Sequence, residues 1–145
     1  MSVVRSAVDP DGEFRPDPRW WSRLFSVIDA GDATAFCEFL TPDAIFRFGN
    51  VAPVVGSDAI RHAVGGFFAA IACSRHRLIR IWEAEHGLVG EGEVTYTRHD
   101  RTTVTIPFVN VFELQGDRIR TYSIYIDVLP LFSPEVTLSP TTSVS

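Results

Sequence analysis

The chain is short of positive charge, of sulfur and of long hydrophobic runs, and each shortage removes a class of function. Thirteen basic residues against eighteen acidic ones leave a formal charge of −5, whereas a nucleic-acid surface needs a basic patch to neutralise phosphates. No stretch of about eighteen apolar residues occurs, so no membrane span is expected. The first ten residues lack the apolar core of a signal peptide, and a cytoplasmic location is the default expectation. Cys37 and Cys73 are the two cysteines; both fall in segments that read as helical and lack metal-ligand spacing, so reduced, partly buried thiols are expected. His76, His86 and His99 have no recurrent spacing, which argues against a metal. Dinucleotide, phosphate-loop and Gly-x-Ser-x-Gly signatures are missing too, and no cofactor is expected.

What is present is a core. The 145 residues suit one domain, 46% of them are hydrophobic, and eleven phenylalanines permit an internal apolar cavity. Residues 1–16 carry charges, Gly12 and prolines without periodicity and read as a flexible arm; the Ser-, Thr- and Pro-rich stretch over 133–145 reads as a disordered tail. Between them, 17–132 form the domain.

Asp17-Pro18 supplies an N-cap and a first-turn proline for a helix carrying Trp20, Trp21, Leu24, Phe25 and Ile28 inward, ended by Gly31. Asp32 caps a shorter helix with Phe36, Phe39 and Leu40 inward. Ala44–Phe48 reads as a short strand, and Ser57 as the cap of a third helix with a stripe of Ile60, Val64, Phe67, Phe68 and Ile71. From His76 the period becomes alternating, with four strands over 77–84, 88–100, 103–114 and 118–129 joined by hairpin-length turns. The expected fold is α+β: a curved, mostly antiparallel sheet covered by three N-terminal helices.

Residues two apart on a strand share a face. Tyr96, Arg98 and Asp100 therefore project together, as do Thr121, Ser123, Tyr125 and Asp127, and Ile106, Phe108, Asn110 and Phe112 form the compatible inward set between them. His99 has the wrong parity. An arginine between carboxylates on an apolar face is either paired for structure or kept for chemistry, because burial disfavours isolated charge. In a cavity, Asp127 held by Arg98 would stay ionised as a base while Asp100 carries a proton as an acid. The competing reading is an Arg–Asp pair that only closes the sheet. Tyr96, Asn110 and Tyr125 would supply secondary hydrogen bonds, with Phe25, Phe46, Phe48, Phe67, Phe68, Phe108 and Trp82 as core or pocket wall.

The order of elements, with Asp29-Ala-Gly-Asp32, Leu40-Thr-Pro-Asp-Ala44, Gly56-Ser-Asp-Ala-Ile60, Gly116-Asp-Arg-Ile119 and Ile124-Tyr-Ile-Asp127, resembles the NTF2-like or SnoaL-like superfamily over residues 18–132. That group includes ketosteroid isomerases, polyketide cyclases and limonene-epoxide hydrolases. The resemblance implies a cone-shaped barrel with a deep pocket, often dimerised through the outer sheet face, where Val109, Val111, Ile124 and Ile126 are expected. Arg98-His99-Asp100 and Asp127 match an epoxide-hydrolase pattern in which Asp127 activates a nucleophile, Asp100 protonates the epoxide oxygen and Arg98 bridges both. Phe46 and Phe48 stand where those hydrolases hold the attacking water with Tyr and Asn, which leaves cyclisation and isomerisation open beside epoxide opening. The expected function is cofactor-free acid–base catalysis on a small hydrophobic substrate by a homodimer; the alternative is a non-catalytic ligand-binding or dimeric scaffold protein.

Overall fold

The computed structural model describes residues 16–133. The arm expected over 1–16, save Pro16, and the tail beyond Ser133 lie outside the described residues, and Pro16 and Asp17 at the boundary are buried. Helix α1, Pro18–Asp29, starts where the sequence places it: the Asp17 carboxylate accepts a hydrogen bond from the Trp20 amide at 3.1 Å. Its Trp20, Trp21, Leu24 and Phe25 are buried. Gly31 adopts φ +70°, the left-handed turn that lets the chain leave the helix. Asp32 caps α2, Ala33–Cys37, through the Ala35 amide at 3.0 Å.

A six-stranded sheet follows, with spatial order β2-β1-β6-β5-β4-β3. Its strands are β1 (Leu40–Phe48), β2 (Val54–Val55), β3 (Cys73–Ala84), β4 (Gly87–Thr97), β5 (Thr103–Gln115) and β6 (Arg118–Ile126). Only the β1–β6 pair is parallel; the rest are antiparallel, and β3 to β6 form the expected meander. The sheet is curved but unclosed. Helix α3, Ser57–Ala70, packs over β1, and α1 over β3. A last turn of helix, α4 (Leu129–Phe132), closes the described chain. No described helix is long and apolar enough to cross a membrane.

Several local expectations change. Cys73 lies in β3, not in a helix, and Ser57 is the first residue of α3 while Gly56 occupies the cap position. Strand β3 begins four residues earlier than its alternation indicated, which places Ser74 and His76 within it. Two glycines of β4 bring the layers together. A Cβ on Gly90 would stand 2.5 Å from Cη2 of Trp21, and one on Gly92 would stand 2.8 Å from Cζ of Phe108, so both rings rest directly on the strand's backbone.

The largest change is on β6. Ile119 is fully buried, which sets the odd-numbered residues inward at the start of the strand. The pairing then slips between Glu113 and Leu114 of β5: Leu114 faces Ile119 but Glu113 faces Thr121, leaving Arg120 as an extra residue. Such a bulge inverts the facing of everything after it. Tyr122, Ile124 and Ile126 therefore point into the fold, while Tyr125 is 58% exposed. The outward face expected to carry Ile124 and Ile126 carries Tyr125 instead.

Candidate functional site

Between the concave face of the sheet and α3 lies a cavity of about 210 Å³. Its walls are mostly aromatic and aliphatic, and Phe46, Phe48, Phe67, Phe68 and Phe108 all line it, as the sequence pattern indicated. Tyr96 and Asn110 line it too. Tyr122, which parity had placed on the opposite face, joins them through the β6 bulge.

The charged trio does not assemble there. Asp127 follows the end of β6, is exposed, and accepts the Leu129 amide at 3.0 Å, one residue before the cap position of α4. Arg98 follows β4 and turns to the same helix, donating to the carbonyls of Leu131 at 3.0 Å and Pro130 at 2.9 Å and to the Thr102 hydroxyl at 2.9 Å. Asp100 sits exposed in the β4–β5 turn, accepting from the Thr102 amide and hydroxyl at 2.9 and 2.6 Å. The Thr102 hydroxyl bond, then its amide, hold the Asp100 carboxyl below its ordinary range. Arg98 and Asp127 thus bracket one turn of helix, with the anion at its N-terminus and the cation at its C-terminus, where the helix dipole favours each. None of the three lines the cavity. Trp82 lies outside as well, 46% exposed beneath the Arg80 guanidinium, and Tyr125 is on the outer face. Phe25 is one layer back, stacked on His76.

His76 lines the cavity and is paired with Asp29, which does not itself line it. His76 Nδ1 lies 2.5 Å from Asp29 Oδ1, and the side chains are 12% and 25% exposed. Asp29 is held in turn by the Ser74 hydroxyl and by the His76 backbone amide, each at 2.9 Å. Burial, the strongest influence on Asp29, pushes its carboxyl up, but the His76 ring, the His76 amide and Ser74 together hold it below its ordinary value. The ring itself is clamped by Phe25, parallel at 4.7 Å, and by the edge of Phe108 at 5.4 Å. With Nδ1 bound to a carboxylate, Nε2 is the nitrogen left for chemistry, and no described residue bonds to it.

Asp29 ends α1 and His76 enters β3, forty-seven positions apart. In the sequence His76 stands out only as a possible metal ligand, and Asp29 only as part of the Asp29-Ala-Gly-Asp32 phrase. The available signal was parity: Ser74 and His76 share a face at the mouth of the meander, opposite Tyr96 and Val94.

The family model described as SnoaL-like domain matches residues 21–122. The chain belongs to the SnoaL-like domain family. Solved structures show that this SnoaL-like domain has the NTF2-like fold. An NTF2-like protein of unknown function from Burkholderia pseudomallei superposes with TM-score 0.70 at 17% identity, covering 77% of this chain and 91% of that one. A ketosteroid isomerase-like fold from Catenulispora acidiphila, in complex with trimethylamine, gives TM-score 0.68 at 14% identity, covering 74% and 85%. A proposed polyketide cyclase from Xanthomonas campestris pv. campestris gives 0.66 at 15%, covering 77% and 90%. No curated protein sequence matches the chain. At these identities the structures speak for the fold.

Proposed function

We propose that this SnoaL-like domain is a cofactor-free acid–base enzyme acting on a small, largely apolar organic molecule, with His76 as the proton-transferring residue. The observation that carries this reading is His76, set into an aromatic cavity wall and paired with Asp29 behind it. Asp29 fixes the ring through Nδ1 and leaves Nε2 as the nitrogen that can take a proton, the arrangement a general base needs. Nε2 would remove a proton from a carbon beside a carbonyl, and the electron pair would move to the carbonyl oxygen. Return of the proton at another carbon gives isomerisation; attack by the carbanion on a second carbonyl gives cyclisation. Covalent catalysis through a lysine imine is excluded, because the chain contains no lysine. This assignment replaces the Asp127, Asp100 and Arg98 roles, which need a shared cavity.

The test is proton exchange rather than a guessed product. A panel of cyclic ketones and enones incubated in deuterium oxide should lose α-proton signal in NMR spectra faster with the native chain. His76→Gln should slow that exchange by roughly 10²–10⁴-fold, the usual contribution of general acid–base catalysis. Equal exchange by the folded variant removes His76 from the mechanism, and no exchange with any panel member favours a ligand-binding protein. We also propose a homodimer paired through the outer sheet face around Tyr125; Tyr125→Arg should convert it to monomer by analytical ultracentrifugation, and a native chain that sediments as monomer rejects the pairing.

A further inference from the structure

The cavity opens on the side away from the histidine. His76 stands on β3, at one edge of the sheet, whereas Val51 and Ala52 follow β1 near the other edge, and both of these exposed residues line the cavity. Ala63 of α3 is exposed and lines it too. Residues that line a cavity and also meet solvent stand at its opening, so the mouth lies between the β1–β2 loop and α3. Along the sheet, β3 and β1 are four strand spacings apart, about 19 Å on its curved surface. A molecule that meets His76 and also reaches the mouth is therefore elongated. The cavity of about 210 Å³ falls below the roughly 300–1,000 Å³ of pockets that enclose their ligands, so the far end of such a molecule passes out through the mouth.

What it meets there is apolar. Val51, 60% exposed, donates its backbone amide to the Phe48 carbonyl, and the Phe48 ring lies 5.0 Å from that of Phe67. Phe67 in turn meets Phe132 edge-on at 6.4 Å, and Phe132 is 57% exposed. Phe48 and Phe67 line the cavity, so one apolar run passes from the cavity wall to the outside of the protein. Exposed apolar surface continuous with a pocket marks a binding surface. Neither segment at the mouth offers a charge to hold an ionic headgroup: the loop over 49–56 reads Gly-Asn-Val-Ala-Pro-Val-Val-Gly, and α4 reads Leu-Pro-Leu-Phe.

We propose that Val51 and Phe132 form an outer subsite for the uncharged hydrocarbon tail of an elongated ligand whose head lies in the cavity toward His76. The proposal rests on the cavity being the working site, and it stands whether or not His76 is the base. The tail is the occupant because the apolar run begins inside the cavity and ends on these two exposed side chains, whereas a stable protein partner covers about 800 Å².

The probes are acetophenone, hexanophenone and decanophenone, which share a head and differ in tail length, titrated into the native full chain and followed by NMR. Each further methylene that reaches the subsite should tighten binding about threefold to fourfold. Val51→Asp combined with Phe132→Asp, both at exposed positions, should weaken decanophenone about tenfold or more while changing acetophenone by less than about twofold. His76→Gln should leave the gain with tail length intact, which separates this subsite from the proton-transfer reading. No gain from acetophenone to decanophenone in the native chain overturns the proposal. In the combined variant, with native near-ultraviolet circular dichroism, undiminished decanophenone binding overturns it as well, as does an equal loss for the shortest and longest ketones. Co-sedimentation of the native chain with phosphatidylcholine vesicles, abolished by the same substitutions, overturns it too, because the two side chains would then face a bilayer.

Discussion

Replacing Asp127 and Arg98 separates two accounts of the same residues. Arg98 makes three hydrogen bonds of 2.9–3.0 Å, two of them to α4 carbonyls that no other described side chain caps. At about 1 kcal/mol net for each partly exposed bond, Arg98→Ala removes roughly 2–3 kcal/mol. The loss has a ceiling, since it cannot exceed the cost of undocking α4, whose Leu131 is 4% exposed and contributes about 1.5–3 kcal/mol by its burial. A net loss of about 2 kcal/mol corresponds to a melting temperature lower by about 6–12 °C for a domain of this size. Hydrogen exchange should rise first over residues 129–133. Asp127→Asn behaves differently: the amide oxygen still accepts the Leu129 N–H, and only the charge–dipole part, a few tenths of a kcal/mol, is lost. Calorimetry should show less than about 3 °C of change, and turnover of any substrate found should stay within about threefold of native. A general base replaced in this way would cost about 10²–10⁴-fold. A hundredfold loss in Asp127→Asn with an unchanged melting curve would refute the assignment of Arg98 and Asp127 to the helix turn.

Other perturbations follow from the packing and the dyad. Gly90→Ala puts a methyl group 2.5 Å from a Trp21 ring that is fully buried and stacked on Phe112 at 5.0 Å; overpacking of about 1–3 kcal/mol exceeds the roughly 0.4–1 kcal/mol gained from the unfolded chain, so urea unfolding should show net destabilisation, and a more stable variant would mean Trp21 is free to move. Asp29 has a carboxyl held below its ordinary 3.8 in the folded chain. Its stabilising contribution is therefore complete above that value and is lost as pH falls through the lower folded value. Asp29→Asn should be less stable at neutral pH and should flatten the acid limb of the stability curve below about pH 4; parallel limbs for the two proteins would show that the His76 and Ser74 bonds carry no ionic component.

The elements legible in the sequence are those whose local chemistry agrees with their packing. Asp17 and Asp32 cap helices because a side-chain oxygen reaches the third amide on, and no distant contact can change that. The apolar alternation of β5 gave its inward face correctly, Asn110 included, because β5 pairs with β4 without a slip. Strand β6 failed for a reason that local reading cannot see. Its first inward residue, Ile119, predicts odd-numbered residues inward, and one unpaired arginine after it reverses the rest. Thr121, Ser123, Tyr125 and Asp127 make the more polar face of the strand, whereas the bulk of Tyr122, Ile124 and Ile126 fits a buried face better. The dyad was hidden differently: Asp29 and His76 become neighbours only because α1 lies across the start of β3, and that crossing is set by Trp21 settling on Gly90. Asp127 as base, Asp100 as acid and Arg98 as the bridge between them are expectations that need a shared cavity, and none of the three lines it. What Arg98 and Asp127 share is a helix turn, and one strand over lies a histidine whose carboxylate partner comes from the first helix.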